Sequence, residues 1–203
     1  MRANYIDDNI LHALKKRVSG RTARPWLPFE LADKTGLRIG DVLKARAEDL
    51  QKDGLHFVAQ KTGKEGIAPL TPSLMRQLRE AAENSPSGWL FPSPYGDGKK
   101  HLTRQAAWAR LKVAAKRVGV SLDGISPHSL RKVYAVDLYK KKGMRAVQKA
   151  LQHSSRDQTE RYALSDWFTS EHADEPLRRR DIDLIVRKVL EILEAHKKES
   201  GLD

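Results

Sequence analysis

The chain has 203 residues, 39% of them hydrophobic and 32% charged, enough for one modest core under a heavily wetted surface. Lysine and arginine total 38 against 26 acidic residues, and the net charge of +12 suits a polyanionic partner. Cysteine is absent, which excludes disulfides and thiolate chemistry; without a membrane-length apolar run or a signal-peptide pattern, a cytoplasmic protein is expected.

In chain order, Asp7 and Asp8 precede Ile10, Leu11, Leu14 and Val18, whose spacing predicts a helix closed by Gly20. Pro25 is predicted to open a second helix that buries Trp26, Leu27, Phe29, Leu31 and Ala32 and stops at Gly36. Ile39, Val42 and Leu43 start a third, which puts Arg38 at an irregular joint with Asp41 three residues further on. The period then changes to that of strands. Asp53-Gly54 signals a turn, 55–59 a strand, 61–66 a second turn and 67–70 a last strand. A mainly helical α+β chain with one small three-stranded antiparallel sheet is therefore expected. The second turn carries Lys61 and Lys64; such a tip is usually just solvated, but it is also a reachable arm.

Thr71-Pro72 predicts a helix start, with Leu74, Met75 and Leu78 inside. Residues 85–100 read as a loop, rich in proline and glycine, that Trp89, Leu90 and Phe91 anchor to the core. Thr103 should cap a helix that runs to Val118 and ends at Gly119. Trp108, Leu111 and Ala115 fall on one face of it; Arg104, Arg110, Lys112, Lys116 and Arg117 are assigned to the other. Residues 1–162 hold 31 basic against 16 acidic side chains, a surplus of 15, so phosphate contact by this face is preferred over a merely solvated one. The next helix starts at Pro127 behind Ser126, placing His128 at an end where backbone N–H groups favour anions and Arg131 one turn along. Tyr134 and Tyr139 on it read as packing aromatics, whereas Tyr162 follows the polar run 156–161 that gives it little to pack against. Residues 166–177 read as linker, and Ile182, Ile185, Val186, Val189, Ile192 and Leu193 as an amphipathic C-terminal helix.

Several of these features occur together in one known order. Thr35-Gly36-Leu37-Arg38-Ile39-Gly40-Asp41, Gln60-Lys61-Thr62-Gly63-Lys64, Leu90-Phe91-Pro92-Ser93, His128-x-x-Arg131, Leu151-x-His153-Ser154-Ser155 and Tyr162 resemble the motifs of the tyrosine recombinase (phage integrase) family catalytic domain. The resemblance implies a helical domain over 1–165 and a C-terminal segment, 166–203, that is docked on its own domain or passed to a neighbouring protomer. It implies Arg38 and Arg131 as clamps on a scissile phosphate, Asp41 as the acidic residue that orients the arginine, and Lys61 as the hairpin lysine. His153 would hydrogen-bond a non-bridging oxygen, His128 would take or relay the phenol proton, and Tyr162 would form a 3′-phosphotyrosine. Lys64, Arg104, Arg110, Lys112 and Lys116 are expected to contact DNA.

On this reading the chain cuts and rejoins specific sites in double-stranded DNA, as a homo-oligomer (a tetramer on DNA), and needs no cofactor because the ester keeps the bond energy. No metal is expected, since no ligand set surrounds His128 or His153. Two departures stand out: Gln152 occupies the place of the family's glycine, and few residues precede the first helix. An N-terminal core-binding domain is thus expected to be absent, the chain being an excised catalytic domain or a minimal form. A type IB topoisomerase-like enzyme and a non-catalytic DNA-binding module of the same fold remain as alternatives.

Overall fold

In the computed structural model, which describes residues 6, 8–18, 24–95, 98–120 and 126–151, helix boundaries follow the caps that the sequence offers. Thr71 and Thr103 are both extended, and their hydroxyls accept the N–H of Leu74 at 3.3 Å and of Ala106 at 3.1 Å. These bonds satisfy donors that the first turn of a helix leaves unpaired. They open α4 (Pro72–Glu83) and α5 (Arg104–Val118), and Gly119 closes α5 in the left-handed conformation. The other helices are α1 (Asp8–Arg17), α2 (Leu27–Thr35), α3 (Ile39–Leu43), α6 (Pro127–Lys142) and α7 (Met144–Leu151). All the described residues belong to the compact unit Met1–Trp167. Gly20, Gln152, His153, Tyr162 and the predicted C-terminal helix lie outside the described residues.

The sheet is antiparallel in the order β1 (Leu50–Gln51), β2 (Gly54–Val58), β3 (Glu65–Ala68), with Leu55 opposite Leu50 on one side and Ala68 on the other. The described residues thus form the expected mainly helical fold with one three-stranded antiparallel sheet, joined by the short helix α7, but several boundaries move. The second helix starts at Leu27, not Pro25; Pro28 sits in its first turn, where a missing N–H costs nothing. Gly54 opens β2 instead of ending the turn, because at φ 147° and with a would-be Cβ 3.0 Å from the Ala68 carbonyl carbon only glycine fits. The last strand stops at Ala68, since Pro69 has no N–H to continue the ladder.

Helix α2 is the hub. Leu27, Phe29, Leu31 and Ala32 are all at most 3% exposed, and α3, α4 and α6 pack on it. Each such large apolar side chain contributes about 1.5–3 kcal/mol on burial. Helix α5 packs on α1 and buries Ala107, Ala114 and Ala115 completely. The loop before α5 is pinned as expected: Leu90 and Phe91 are buried, and the Trp89 indole N–H donates to the Lys99 carbonyl at 3.0 Å. Helix α6 belongs to two clusters. Leu130 and Val133 join the main core, while Ala135 and Tyr139 pack with Val147 and Leu151 of α7. Among the described residues no helix is long and apolar enough to cross a membrane.

Candidate active site

The α2–α3 joint is set by a glycine with two reasons to be one. Gly36 has φ 68°, and its N–H closes α2 on the Ala32 carbonyl. A Cβ there would lie 2.7 Å from Cε1 of Tyr134, whose ring crosses the joint from α6. Two residues on, Arg38 is extended and its carbonyl accepts the N–H groups of Asp41 and Val42 at 2.8 and 3.0 Å. The side chain of Arg38 is half-buried.

Helix α6 begins with a reciprocal cap. Ser126 Oγ accepts the His128 N–H at 3.2 Å, and Ser129 Oγ accepts the Ser126 N–H at 3.0 Å. One turn in, Arg131 is only 5% exposed. Its guanidinium donates from one terminal nitrogen to the Gly36 carbonyl and from the other to the Leu151 carbonyl at 2.8 Å. A planar fork thereby ties the Arg38 joint, 95 residues away in sequence, to the end of α7, which leads into Gln152 and His153.

His128 is solvent-accessible yet crowded by protein. Partial desolvation lowers its pKa from the usual 6.5, and the positive charges of Arg131, Arg38 and Lys61 lower it further. Besides α6 itself, the α2–α3 joint and the β2–β3 hairpin thus place a charge close enough to act on this imidazole. Of the candidates read from the sequence, Arg38, Lys61, His128 and Arg131 are thus within electrostatic reach of one another, and His153 and Tyr162 lie outside the described residues.

Lys61 sits in a turn closed on itself. The Ala59 N–H donates to the Lys64 carbonyl at 2.8 Å, and the Thr62 and Gly63 N–H groups return to the Ala59 carbonyl at 3.0 and 2.7 Å. Lys61 and Lys64 are both exposed. The turn is fastened to α3 at Gln60, whose backbone N–H donates to Asp41 Oδ1 at 3.2 Å and whose side-chain amide donates to the Gly40 carbonyl at 3.0 Å. The carboxylate of Asp41, 9% exposed, thus holds the hairpin; among the described residues no carboxylate pairs with Arg38.

The cations of α5 do not share a face. At 100° per residue Arg104 falls in line with the buried stripe, one turn before it begins, Lys112 and Lys116 fall on one flank and Arg110 and Arg117 on the other. Arg104 packs toward Gly40, with its Cδ 3.4 Å from where a Cβ would stand, and so reaches the α3 turn. Lys112 lies over the Trp108 ring at 6.0 Å, and Lys116 is exposed. Arg110 instead lines a cavity of about 470 Å³ with Leu27, Phe91 and Leu102, where desolvation lowers its pKa. Arg117 donates to the Arg17 carbonyl at 3.4 Å, at the end of α1.

A model of the phage integrase family matches residues 6–167. The chain belongs to this family. Tyrosine recombinase XerD of Rhizobium meliloti (strain 1021) is 35% identical over 141 residues, covering 66% of this chain and 45% of that protein. XerD of Vibrio cholerae serotype O1 is 30% identical over 156 residues, covering 68% and 51%. The chain spans about half the length of these relatives. Among solved structures, a lambda integrase dimer bound to a COC′ core site superposes with a TM-score of 0.68 at 21% identity, covering 88% of this chain and 51% of that one. The catalytic domain of bacteriophage HP1 integrase gives 0.60 at 20%, covering 88% of this chain and all of that one. The fold is that of an integrase catalytic domain.

Sequence reading alone passed over Tyr134 as packing and gave Gln60 no role. In this phage integrase family chain both touch the residues that aim the cations: Tyr134 through Gly36, and Gln60 through Asp41 and Gly40. Both contacts join segments far apart in the chain, and no local pattern marks them.

Proposed function

We propose that this chain is the catalytic portion of a site-specific DNA recombinase, which cleaves and rejoins double-stranded DNA through a 3′-phosphotyrosine. The observation that carries the reading is that Arg38, Lys61 and Arg131, from three separate segments, lie near enough to His128 for their charges to act on it. Three cations around one base fit a phosphodiester passing through a five-coordinate, doubly charged state. The family membership and the XerD name of its relatives point the same way.

In the proposed step the phenol oxygen of Tyr162 attacks phosphorus and the bond from phosphorus to the 5′-oxygen breaks. The phenol proton passes to His128, which its lowered pKa keeps neutral near pH 7 and therefore able to accept it. Lys61 gives a proton to the departing 5′-oxygen, which an arginine does poorly because its pKa is too high. Arg38 and Arg131 bind the non-bridging oxygens, and Arg131 is already oriented by two carbonyls. His153 adds a hydrogen bond to the same phosphate. The 5′-hydroxyl of a second strand then reverses the sequence, so neither nucleotide hydrolysis nor a metal enters the scheme. Strand exchange between sites calls for several protomers on DNA, a tetramer in this reading, acting in the cytoplasm. Lys64, Arg104, Lys112 and Lys116 are proposed to contact the DNA backbone, whereas Arg110 lines a cavity with Leu27, Phe91 and Leu102.

The test is incubation with nicked duplex DNA followed by a denaturing gel. Native protein should yield a covalent protein–DNA band, and Tyr162→Phe should remove it while leaving DNA binding unchanged. A band that persists in Tyr162→Phe, or an adduct mapped to Tyr134 or Tyr139, overturns the assignment.

A further inference from the structure

We infer that Gln60 is a positioning residue for proton donation: its two hydrogen bonds to the first turn of α3 fix Lys61 relative to Arg38. The inference rests on the reading of Lys61 as the general acid and extends it to a residue that touches no reacting atom.

The geometry is specific. Arg38 is the residue from which α3 departs, and its carbonyl is fixed by the N–H groups of Asp41 and Val42. Gly40 and Asp41 therefore belong to the same rigid turn as the clamp. Gln60 grips that turn twice, with its backbone N–H on Asp41 Oδ1 at 3.2 Å and its amide nitrogen on the Gly40 carbonyl at 3.0 Å. Lys61 is the next residue in the chain. Beyond Gln60 the turn is braced by its own backbone, through the Ala59, Thr62 and Gly63 N–H groups. Gly63, at φ 66°, has nothing within 4 Å of where a Cβ would stand, so the tip leans on no other part of the described structure there.

The consequence follows from what each partner can do. Asp41 is buried, and its carboxylate needs donors; the Gln60 N–H supplies one. The side-chain bond is exposed and contributes little to overall stability, but it removes a hinge between clamp and acid. Proton transfer demands that donor and acceptor atoms come within about 2.6–3.2 Å in the transition state, so a hairpin free to pivot at residue 60 loses rate before it loses binding. A glutamate at 60 is the informative isostere: it keeps the shape, but its carboxylate cannot donate to the Gly40 carbonyl.

The experiment measures single-turnover cleavage and DNA affinity for native protein, Gln60→Ala, Gln60→Glu, Lys61→Ala and Arg131→Ala. Each is tested on ordinary nicked DNA and on a substrate with a 5′-bridging phosphorothiolate. A thiolate leaves without a proton, so sulfur bypasses the acid alone. Lys61→Ala should be slowed on the order of a hundred- to ten-thousandfold on the ordinary substrate and restored by sulfur. Both Gln60 variants should be slowed on the order of tenfold, with DNA affinity unchanged, and likewise restored, while Arg131→Ala stays slow on both substrates. If sulfur fails to restore Lys61→Ala, the reading of Lys61 as acid falls. If Lys61→Ala is restored but the Gln60 variants match native protein on ordinary DNA, or stay slow on the sulfur substrate, the acid reading stands and the positioning role of Gln60 falls.

Discussion

The junction of α2, α6 and α7 holds Arg131 by burial, whereas the β2–β3 hairpin holds Lys61 by two bonds at its base. Arg131 is 5% exposed and spends hydrogen bonds on two backbone carbonyls from different helices. Lys61 is exposed, and the side-chain bonds that fasten its turn to α3 lie one residue upstream, at Gln60. The difference matches the two tasks proposed for them. A clamp on a phosphate gains from preorganisation, because donors already aimed need no reorganisation as charge develops. A proton donor must lie beside the leaving oxygen only while the bond breaks, and a surface arm lets the DNA itself complete its placement.

Breaking the buried half should have the largest effect. Arg131→Ala removes a clamp and strands the Gly36 and Leu151 carbonyls, each costing about 1–3 kcal/mol if left unsatisfied. Cleavage should fall below detection and the urea midpoint should drop. Arg131→Lys should recover neither, because one ammonium cannot span two carbonyls that a planar fork reaches together. Near-native cleavage by Arg131→Lys would show that the fork geometry is dispensable.

A smaller effect separates the two regions by their glycines, which have nearly the same backbone. Gly36 and Gly63 lie at φ 68° and 66°, but a Cβ at Gly36 meets the Tyr134 ring and one at Gly63 meets nothing within 4 Å. Gly63→Ala should cost only the left-handed penalty, about 1–2 kcal/mol. Gly36→Ala adds overpacking against the ring, for a total of about 2–5 kcal/mol. Chemical denaturation of the two variants measures the gap; equal losses would mean that the Tyr134 contact carries no weight.

Much of this architecture was legible because it is local. Thr71, Thr103 and Ser126 cap helices through side chains two or three residues from the groups they satisfy, and Gly36 and Gly119 close helices with backbone N–H groups on carbonyls three or four residues back. The family motifs named the cations of the site for the same reason. What supports those cations was not legible. Arg131 reaches Gly36 across 95 residues, and Asp41 takes the Gln60 N–H across 19, so Asp41 holds the hairpin where a partnership with Arg38 was expected. Helix α5 shows a second limit. Listing its cations as one face ignored that Arg110 lies 240° around the helix axis from Arg104 at 100° per residue, and the fold turns it into a cavity.

The smallest predicted effect reads both regions at once through His128. Its midpoint in an NMR titration of the free protein should fall below 6.5, because desolvation and the cations Arg131, Arg38 and Lys61 disfavour the imidazolium. Lys61→Ala should raise the midpoint part of the way back, since desolvation and the two arginines persist. A folded pKa lower than the unfolded one means that the contribution of this group to stability is present in full above 6.5 and is lost as pH falls through the folded value. A midpoint at or above 6.5 would separate Lys61 and the arginines from the imidazole.

The three buried alanines of α5 carry a consequence for descent. Ala107, Ala114 and Ala115 are fully buried on the helix that packs on α1, and α5 is also the helix whose first residue, Arg104, leans on the Gly40 turn. A lineage that enlarges any of the three must shrink a neighbour in the same step, or α5 shifts and takes Arg104 with it. Covariation between the core sides of α1 and α5 is thus the mark that this spacing should leave in related sequences, even though neither helix supplies a group to the proposed chemistry.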